Sequence, residues 1–324
     1  MGLIDQWHRQ LSYLRVSITD RCNLRCIYCR TGPSFQMLSH KDILSYEEIL
    51  GVIQAGIYLG IKKVRITGGE PLVRRGVFDF LKELSYMTDL EDISFTSNGI
   101  LLERHIQDIV NARINRINIS LDTLNPEKYF AITGANRWHR VWKGLIAAYD
   151  AGIDPIKLNV VAMKGINDDE WVALAQLTQQ YPFWVRFIEL MPVGHSDLFS
   201  QRWVSAETIK NSIEKHLGPL TPVKRQSHDG PAERFKLTNG LGEIGFIHAI
   251  SHHFCQTCNR LRLTANGFLR ACLLSDQQID IRTTIRKGGT DEEIQQLLIT
   301  AVNNKPMSHP IRISCNDQMV NIGG

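Results

Sequence analysis

The chain of 324 residues is long enough for about two domains at roughly 150 residues each, or for one large α/β barrel with an appendage. Its 43% hydrophobic and 22% charged residues, with 24 Gly and 11 Pro, are ordinary globular values that exclude a disordered, collagen-like or disulfide-stapled chain. The 37 Lys and Arg against 33 Asp and Glu leave only +4, and no apolar run reaches the ~18 residues of a bilayer span, so neither nucleic acid nor membrane is an expected partner and a cytoplasmic location is expected.

Six short β-branched runs recur between residues 12 and 191, each followed by a helical pattern: 14–19, 63–67, 92–97, 116–121, 156–163 and 184–191. Strands alternating with helices predict a mostly parallel sheet. Ser45, followed by Glu48 before Ile49, Val52 and Ile53, has capping-box spacing, and a second helix is expected over 137–151. Within the strands one face is apolar, as in Leu14, Val16 and Ile18 or Ile117, Ile119 and Leu121. The other is polar and partly cationic: Arg15, Ser17, Thr19; Lys63, Arg65, Thr67; Ser94, Thr96; Asn118, Ser120, Asp122; Lys157, Asn159; and Arg186. A closed eight-stranded barrel fills its interior with apolar side chains, so a polar inner face predicts an incomplete (βα)6 barrel, related to the triosephosphate isomerase barrel, around a wet cavity. An antiparallel sheet with one wet face has the same alternation but does not call for the intervening helices.

After Pro192 the pattern changes to a connector, an amphipathic helix over 205–217 and irregular chain over 219–230. Residues 231–324 carry short strands and a late helix over 291–303. The expected division is therefore a partial barrel with its connector (1–230) and a smaller α+β region (231–324).

Seven cysteines are present, and six fall into two tight groups, which favours metal ligation in a reducing compartment. Cys22, Cys26 and Cys29 form C-x3-C-x2-C directly after the first strand, at the rim where barrels bind ligands. Three thiolates can hold three irons of one [4Fe–4S] cluster and leave the fourth open to an exogenous ligand, whereas structural zinc closes with four ligands. Cys255, Cys258 and Cys272 form C-x2-C-x13-C. Alone this second group is also compatible with zinc completed by His252, His253 or Cys315.

The first triplet, with an aromatic before its third Cys and Gly68-Gly69-Glu70-Pro71 after the second strand, resembles the radical SAM superfamily. The resemblance implies S-adenosylmethionine (SAM) at the open iron, with Gly69 at the methionine amino group, Tyr28 beside the adenine, and Ser120 and Met191 along the rest of the cofactor. Both triplets, Asn259-Arg260-Leu261-Arg262 after Cys258, and Gly323-Gly324 together resemble the GTP 3′,8-cyclase family, the molybdenum cofactor biosynthesis protein A family. That likeness implies a second [4Fe–4S] cluster on Cys255, Cys258 and Cys272 that binds guanine. It implies GTP contacts from Arg15, Arg65, Thr96, Lys157, Arg186, Arg260, Leu261 and Arg262, with Arg15, Gly323 and Gly324 in catalysis.

An interior row of guanidinium groups makes sense beside a triphosphate, because buried cations without anions are costly. Some of them are expected to pair with Asp92, Asp122 or Glu189 instead. The family reaction yields 3′,8-cyclo-7,8-dihydroguanosine triphosphate on the way to molybdopterin. Further implied partners are a reductant protein, the next enzyme of that pathway and a second copy of the chain in a homodimer. Two rival readings are a radical SAM enzyme with an auxiliary cluster that modifies a peptide, and a zinc-binding interaction module.

Overall fold

The structure, a computed structural model, describes residues 2–29, 36–114, 116–193, 197–224, 230–309 and 319–323. Six strands follow the expected runs: β1 (Tyr13–Ser17), β2 (Lys63–Thr67), β3 (Asp92–Ser97), β4 (Ile117–Ser120), β5 (Ile156–Ala162) and β6 (Trp184–Glu189). They lie side by side in that order and every pair is parallel. The crossovers that parallel pairing requires are α1 (Tyr46–Tyr58), α2 (Val77–Ser85), α3 (Leu102–Asn111), α4 (Pro126–Thr133) with α5 (Trp138–Asp150), and α6 (Trp171–Gln180). Beyond β6 follow α7 (Asp197–Arg202) and α8 (Ala206–Leu217).

Local signals explain where these helices begin. Ser45 Oγ accepts from the Glu48 amide at 3.1 Å, and a Glu48 carboxylate oxygen accepts from the Ser45 amide at 2.6 Å, so the predicted capping box opens α1. Alternation then orients the strands. Leu14, Val16, Val64, Ile66, Phe95, Ile117, Ile119, Leu158, Val160, Val185 and Phe187 are all buried in one hydrophobic core under the helices. Burying each such side chain contributes roughly 1.5–3 kcal/mol, and a one-residue slip would turn the whole set to the wrong face, so register is strongly specified.

Residues beyond 220 do more than the sequence pattern announces. They form β7 (Thr221–Pro222), β8 (Glu233–Lys236), β9 (Glu243–Ile247), β10 (Arg260–Leu263), β11 (Phe268–Arg270) and β12 (Ile279–Asp280), followed by α9 (Arg282–Arg286), α10 (Asp291–Asn303) and α11 (Met319–Ile322). β9 adds in parallel to β6, and β10 adds in parallel to β1. The curved wall thus runs β10-β1-β2-β3-β4-β5-β6-β9, and antiparallel β11-β12 and β8-β7 finish its two edges. The C-terminal region therefore prolongs the barrel wall at both edges. Part of the stretch expected to be irregular supplies β7. Among the described residues no helix is long and apolar enough to cross a membrane.

At the β6–β9 seam Phe187 and Phe246 stack with ring centroids 6.0 Å apart, both fully buried. Truncating a buried phenylalanine costs about 3–5 kcal/mol. Phe246→Ala should lower stability by that amount, measured as a shift in the denaturant midpoint, because it loosens the C-terminal strand from the barrel.

Candidate active site

The inner face of the wall and the loops at its rim enclose a cavity of about 460 Å³. All six described cysteines face it, as do Tyr28, Gly69, Ser120 and Met191.

Past β1 the chain runs into the loop of Cys22, Cys26 and Cys29, and the Gly68-Gly69-Glu70 loop holds that segment from behind. Gly69 and Glu70 donate backbone hydrogen bonds to the carbonyls of Thr19 (2.7 Å) and Arg21 (2.8 Å). A Cβ on Gly69 would lie 2.2 Å from the Arg21 carbonyl oxygen, so only glycine permits this approach. Glu70 is fully buried and accepts from the Leu72 amide, Ser97 Oγ and the Asn98 amide, tying the loop to the end of β3. Burial raises its carboxyl to about 7, although those donors pull the other way. Asn98 Nδ2 in turn approaches Cys22 Sγ at 3.7 Å, and the Leu24 amide approaches the same sulfur at 3.4 Å. Burial, then Cys29, Asp122 and Cys22, hold the Cys26 thiol well above its ordinary value. Thiolates gathered in this way need a cation. Soft sulfur donors that receive N–H groups suit an iron–sulfur cluster. Beside them Tyr28 donates its hydroxyl to Asp122 at 2.7 Å, and Asp122 also accepts from the Val161 amide at 2.8 Å.

Strand register builds the cationic wall. Arg262, Arg15, Arg65 and Ser94 are successive register partners across β10, β1, β2 and β3, and Arg260, Tyr13, Lys63 and Asp92 form the adjacent level. On the far side Lys157 lies over the Trp184 ring at 3.7 Å. Arg186, 8% exposed, donates to Asn118 Oδ1 at 2.5 Å and Asn159 Oδ1 at 2.6 Å, which are neutral amides. Burial pushes Arg15 and Arg186 well below the usual arginine range, and the neighbouring arginines add to it. Burial and Arg260 bring Arg262 down to about 10. Such a wall favours a multiply charged anion.

The carboxylates expected to neutralise it are committed to other partners. Asp92 pairs with Lys63 at 3.4 Å and with Arg116. Glu189 accepts from the amides of Ala206, Ile250 and Ser251 and from Ser251 Oγ, fastening β6 to α8 and to the loop before the second triplet. Thr96 Oγ1 is buried without a hydrogen-bond partner among the described residues.

At the second triplet, burial pushes the Cys255 thiol up, opposed by the His309 backbone amide. For Cys258, burial is outweighed by Lys305, Arg260 and the Arg260 amide, and the thiol ends below its ordinary value. Among the described residues no three His, Cys, Asp or Glu converge as they would around a single metal ion. Cys315 lies outside the described residues.

The C-terminal segment enters beside β1 and β2. Ile322 packs with Val193 and Leu274, and Arg262 Nη1 donates to the Gly323 carbonyl at 2.7 Å. Gly323 has φ +69°, and a Cβ there would lie 2.4 Å from Thr67 Oγ1, so a side chain does not fit. Gly324 lies outside the described residues.

The alternation along β10 turns the Leu261 side chain away from the cavity into the main core, opposite Leu14. Sequence reasoning passed over Tyr13, Lys63 and Arg116, which line the cavity. Lys63 already stood on the polar face of the alternation, and extending that phase one step would have found Tyr13.

The family model of the radical SAM superfamily matches residues 16–178, and that of molybdenum cofactor synthesis C matches 183–311. The GTP 3′,8-cyclase of Pelotomaculum thermopropionicum is 43% identical over 323 residues, covering 99% of each chain. That of Heliobacterium modesticaldum is 47% identical over 308 residues, covering 95% of this chain and 94% of the relative. Among solved structures, Streptococcus suis SuiB bound to S-adenosylmethionine has a TM-score of 0.62 at 14% identity and covers 92% of this chain and 67% of its own, a likeness of fold alone.

Asp122 provides a test of the site's electrostatics. Burial raises its carboxyl to about 6, above the ordinary aspartate range, with Tyr28 and the Val161 amide opposing. A raised carboxyl holds a proton in the folded chain that the unfolded chain has lost. Its contribution is therefore full below about pH 4 and is lost as pH rises through 6, roughly 3 kcal/mol in all. In metal-free protein, the wild type should lose about that much more stability than Asp122→Asn between pH 4 and 7, measured by denaturant titration at each pH.

Proposed function

The chain belongs to the GTP 3′,8-cyclase family of radical SAM enzymes, and from that premise we propose that it converts GTP to (8S)-3′,8-cyclo-7,8-dihydroguanosine 5′-triphosphate, a lyase step of molybdenum cofactor biosynthesis. The observation that carries this reading is one cavity faced both by two cysteine triplets and by a register-matched row of arginines.

In this reading Cys22, Cys26 and Cys29 hold one [4Fe–4S] cluster, and Cys255, Cys258 and Cys272 hold a second. When bound, the first supplies the electron for cleaving SAM and the second an open iron for guanine. Tyr28, Gly69, Ser120 and Met191 receive SAM. Arg15, Arg65, Thr96, Lys157, Arg186, Arg260 and Arg262 receive GTP, with Leu261 contributing main chain only. Arginine forks match phosphate oxygens bidentately, and a triphosphate of about four negative charges relieves the repulsion within the wall. The side chains orient the ribose and exclude water, since a radical that escapes to solvent is wasted. Gly323, whose carbonyl Arg262 holds, and Gly324 serve catalysis together with Arg15.

Residues 1–230 act as the SAM-cleaving unit, and 231–324 carry the auxiliary cluster and part of the substrate site. A reductant protein delivers electrons, the next enzyme of the molybdopterin pathway takes the product, and the chain works as a cytoplasmic homodimer. The peptide-modifying alternative needs a docking surface for a chain in place of a triphosphate cradle, and a zinc interaction module needs no SAM site. The arginine wall disfavours both.

Anaerobic incubation with SAM, a reductant and each of the four nucleoside triphosphates should give cyclised product from GTP alone. Turnover of another nucleotide, or none with GTP, overturns the assignment. A charge-assisted phosphate contact is worth about 1.5–3 kcal/mol, so Arg65→Ala or Arg186→Ala should raise the GTP dissociation constant roughly tenfold or more, with SAM binding nearly unchanged. Equal affinity of the wild type for GTP and GMP speaks against the cradle. Deleting Gly323 and Gly324 should leave iron content and SAM binding intact and abolish cyclisation, with partial rescue by a tail peptide at high concentration.

A further inference from the structure

Two buried cations outside the arginine wall, Lys305 and Arg9, converge on the second cysteine triplet. Lys305, just beyond α10, is 2% exposed. Its ammonium donates to the carbonyl of Arg260 at 2.8 Å and to that of Ala271 at 2.5 Å. Arg260 lies two residues after Cys258, and Ala271 immediately precedes Cys272, so one ammonium staples the two chain segments that bring the triplet together. Burial lowers the pKa of this ammonium, and Cys258 and then Cys272 are the neighbours that favour its charge.

Arg9 completes the bracket from the N-terminal side. Its Nε donates to Asp5 at 2.6 Å, with both side chains buried. Nη1 donates to the Cys255 carbonyl at 2.6 Å and to the Met307 carbonyl at 3.2 Å, and Nη2 donates to the Pro306 carbonyl at 2.7 Å. Trp7 Nε1 adds a bond to the Lys305 carbonyl at 3.0 Å. The segment that carries Lys305 is therefore clamped to Cys255 by a guanidinium whose orientation Asp5 fixes. A planar fork that serves three carbonyls cannot be replaced by a point charge without losing partners.

We propose that Lys305 and Arg9 are positioning residues of the second triplet: Lys305 joins the Cys258 and Cys272 segments and supplies the buried positive charge their thiolates require, and Arg9 locks Cys255 to the same segment. This rests on the reading that the second triplet holds a [4Fe–4S] cluster. A buried ammonium without an anion is costly, so the charge is best satisfied when the neighbouring sulfurs are metal-bound thiolates. A positive charge beside the cluster also favours its reduced form.

The test uses full-length protein purified anaerobically, with iron and sulfide counted per chain and each cluster followed by electron paramagnetic resonance. The wild type should hold iron for two clusters. Lys305→Met, which keeps length and removes the charge and donors, should lose about half the iron while keeping the SAM-responsive signal of the first site. In molecules that retain the second cluster, its midpoint potential should fall. Lys305→Arg should restore most of the iron. Arg9→Lys, a milder change, should speed iron loss from the second site to a chelator several-fold. Iron for only one cluster in the wild type overturns the two-cluster reading. Iron for two in the wild type, with full occupancy and an unshifted second potential in Lys305→Met and an unchanged chelation rate in Arg9→Lys, overturns the proposal itself.

Discussion

Arg262, Arg15 and Arg65 stand abreast at one level of three neighbouring parallel strands. Like charges directly opposite one another in a sheet are destabilising, and burial strengthens the repulsion because little water is left to screen it. The surroundings are consistent with a site that keeps this charge for a ligand. Asp92 sits one level away and is occupied by Lys63 and Arg116, Glu189 is surrounded by amide donors, and Asp122 is engaged by Tyr28. Arg186 is steadied by two carboxamides, which hold a guanidinium in place without cancelling its charge. The folded chain bears an electrostatic penalty here that a polyanion would relieve, and the remaining architecture serves to keep that penalty in position.

The period-2 alternation makes much of this legible in the sequence. It separated the helix-facing residues from Arg15, Arg65, Lys157 and Arg186, and the capping-box spacing at Ser45 located α1. It was silent on the pairing of β10 with β1 and of β9 with β6, because those partners lie far apart in the chain and strand pattern carries no record of which distant run completes an edge. Leu261 stands in the other phase of that alternation. Its neighbours are arginines of the wall, yet the same alternation that turns Arg260 and Arg262 inward turns Leu261 outward. Arg9 and Lys305 gave no periodic signal at all, since their role depends on carbonyls supplied by three separate segments.

The likeness to SuiB at 14% identity shows how little of this chemistry belongs to the scaffold. Parallel strands with a cysteine loop at the rim can support many reactions, and what distinguishes one chain from another is the set of inward side chains and whatever closes the open edges. Here the closing elements carry chemistry themselves: β10 brings Arg260 and Arg262 to the wall and lies next to Cys258.

The order in which these elements are made is the reverse of their interdependence. On the ribosome β1 and the first cysteine loop emerge early, but the strand that pairs with β1 is not synthesised until residues 260–263, and Lys305 and Gly323 follow later still. Until then β1 is an exposed edge bearing buried-type cations, and the Arg9 clamp has no carbonyls to grip. The nascent chain must therefore hold an unfinished barrel through most of translation, and a ribosome that stops short of the last twenty residues releases a product that has its first cysteine loop and lacks a finished cavity. The strand partner of β1 and the Arg262 contact to Gly323 are thus late additions to a barrel begun early.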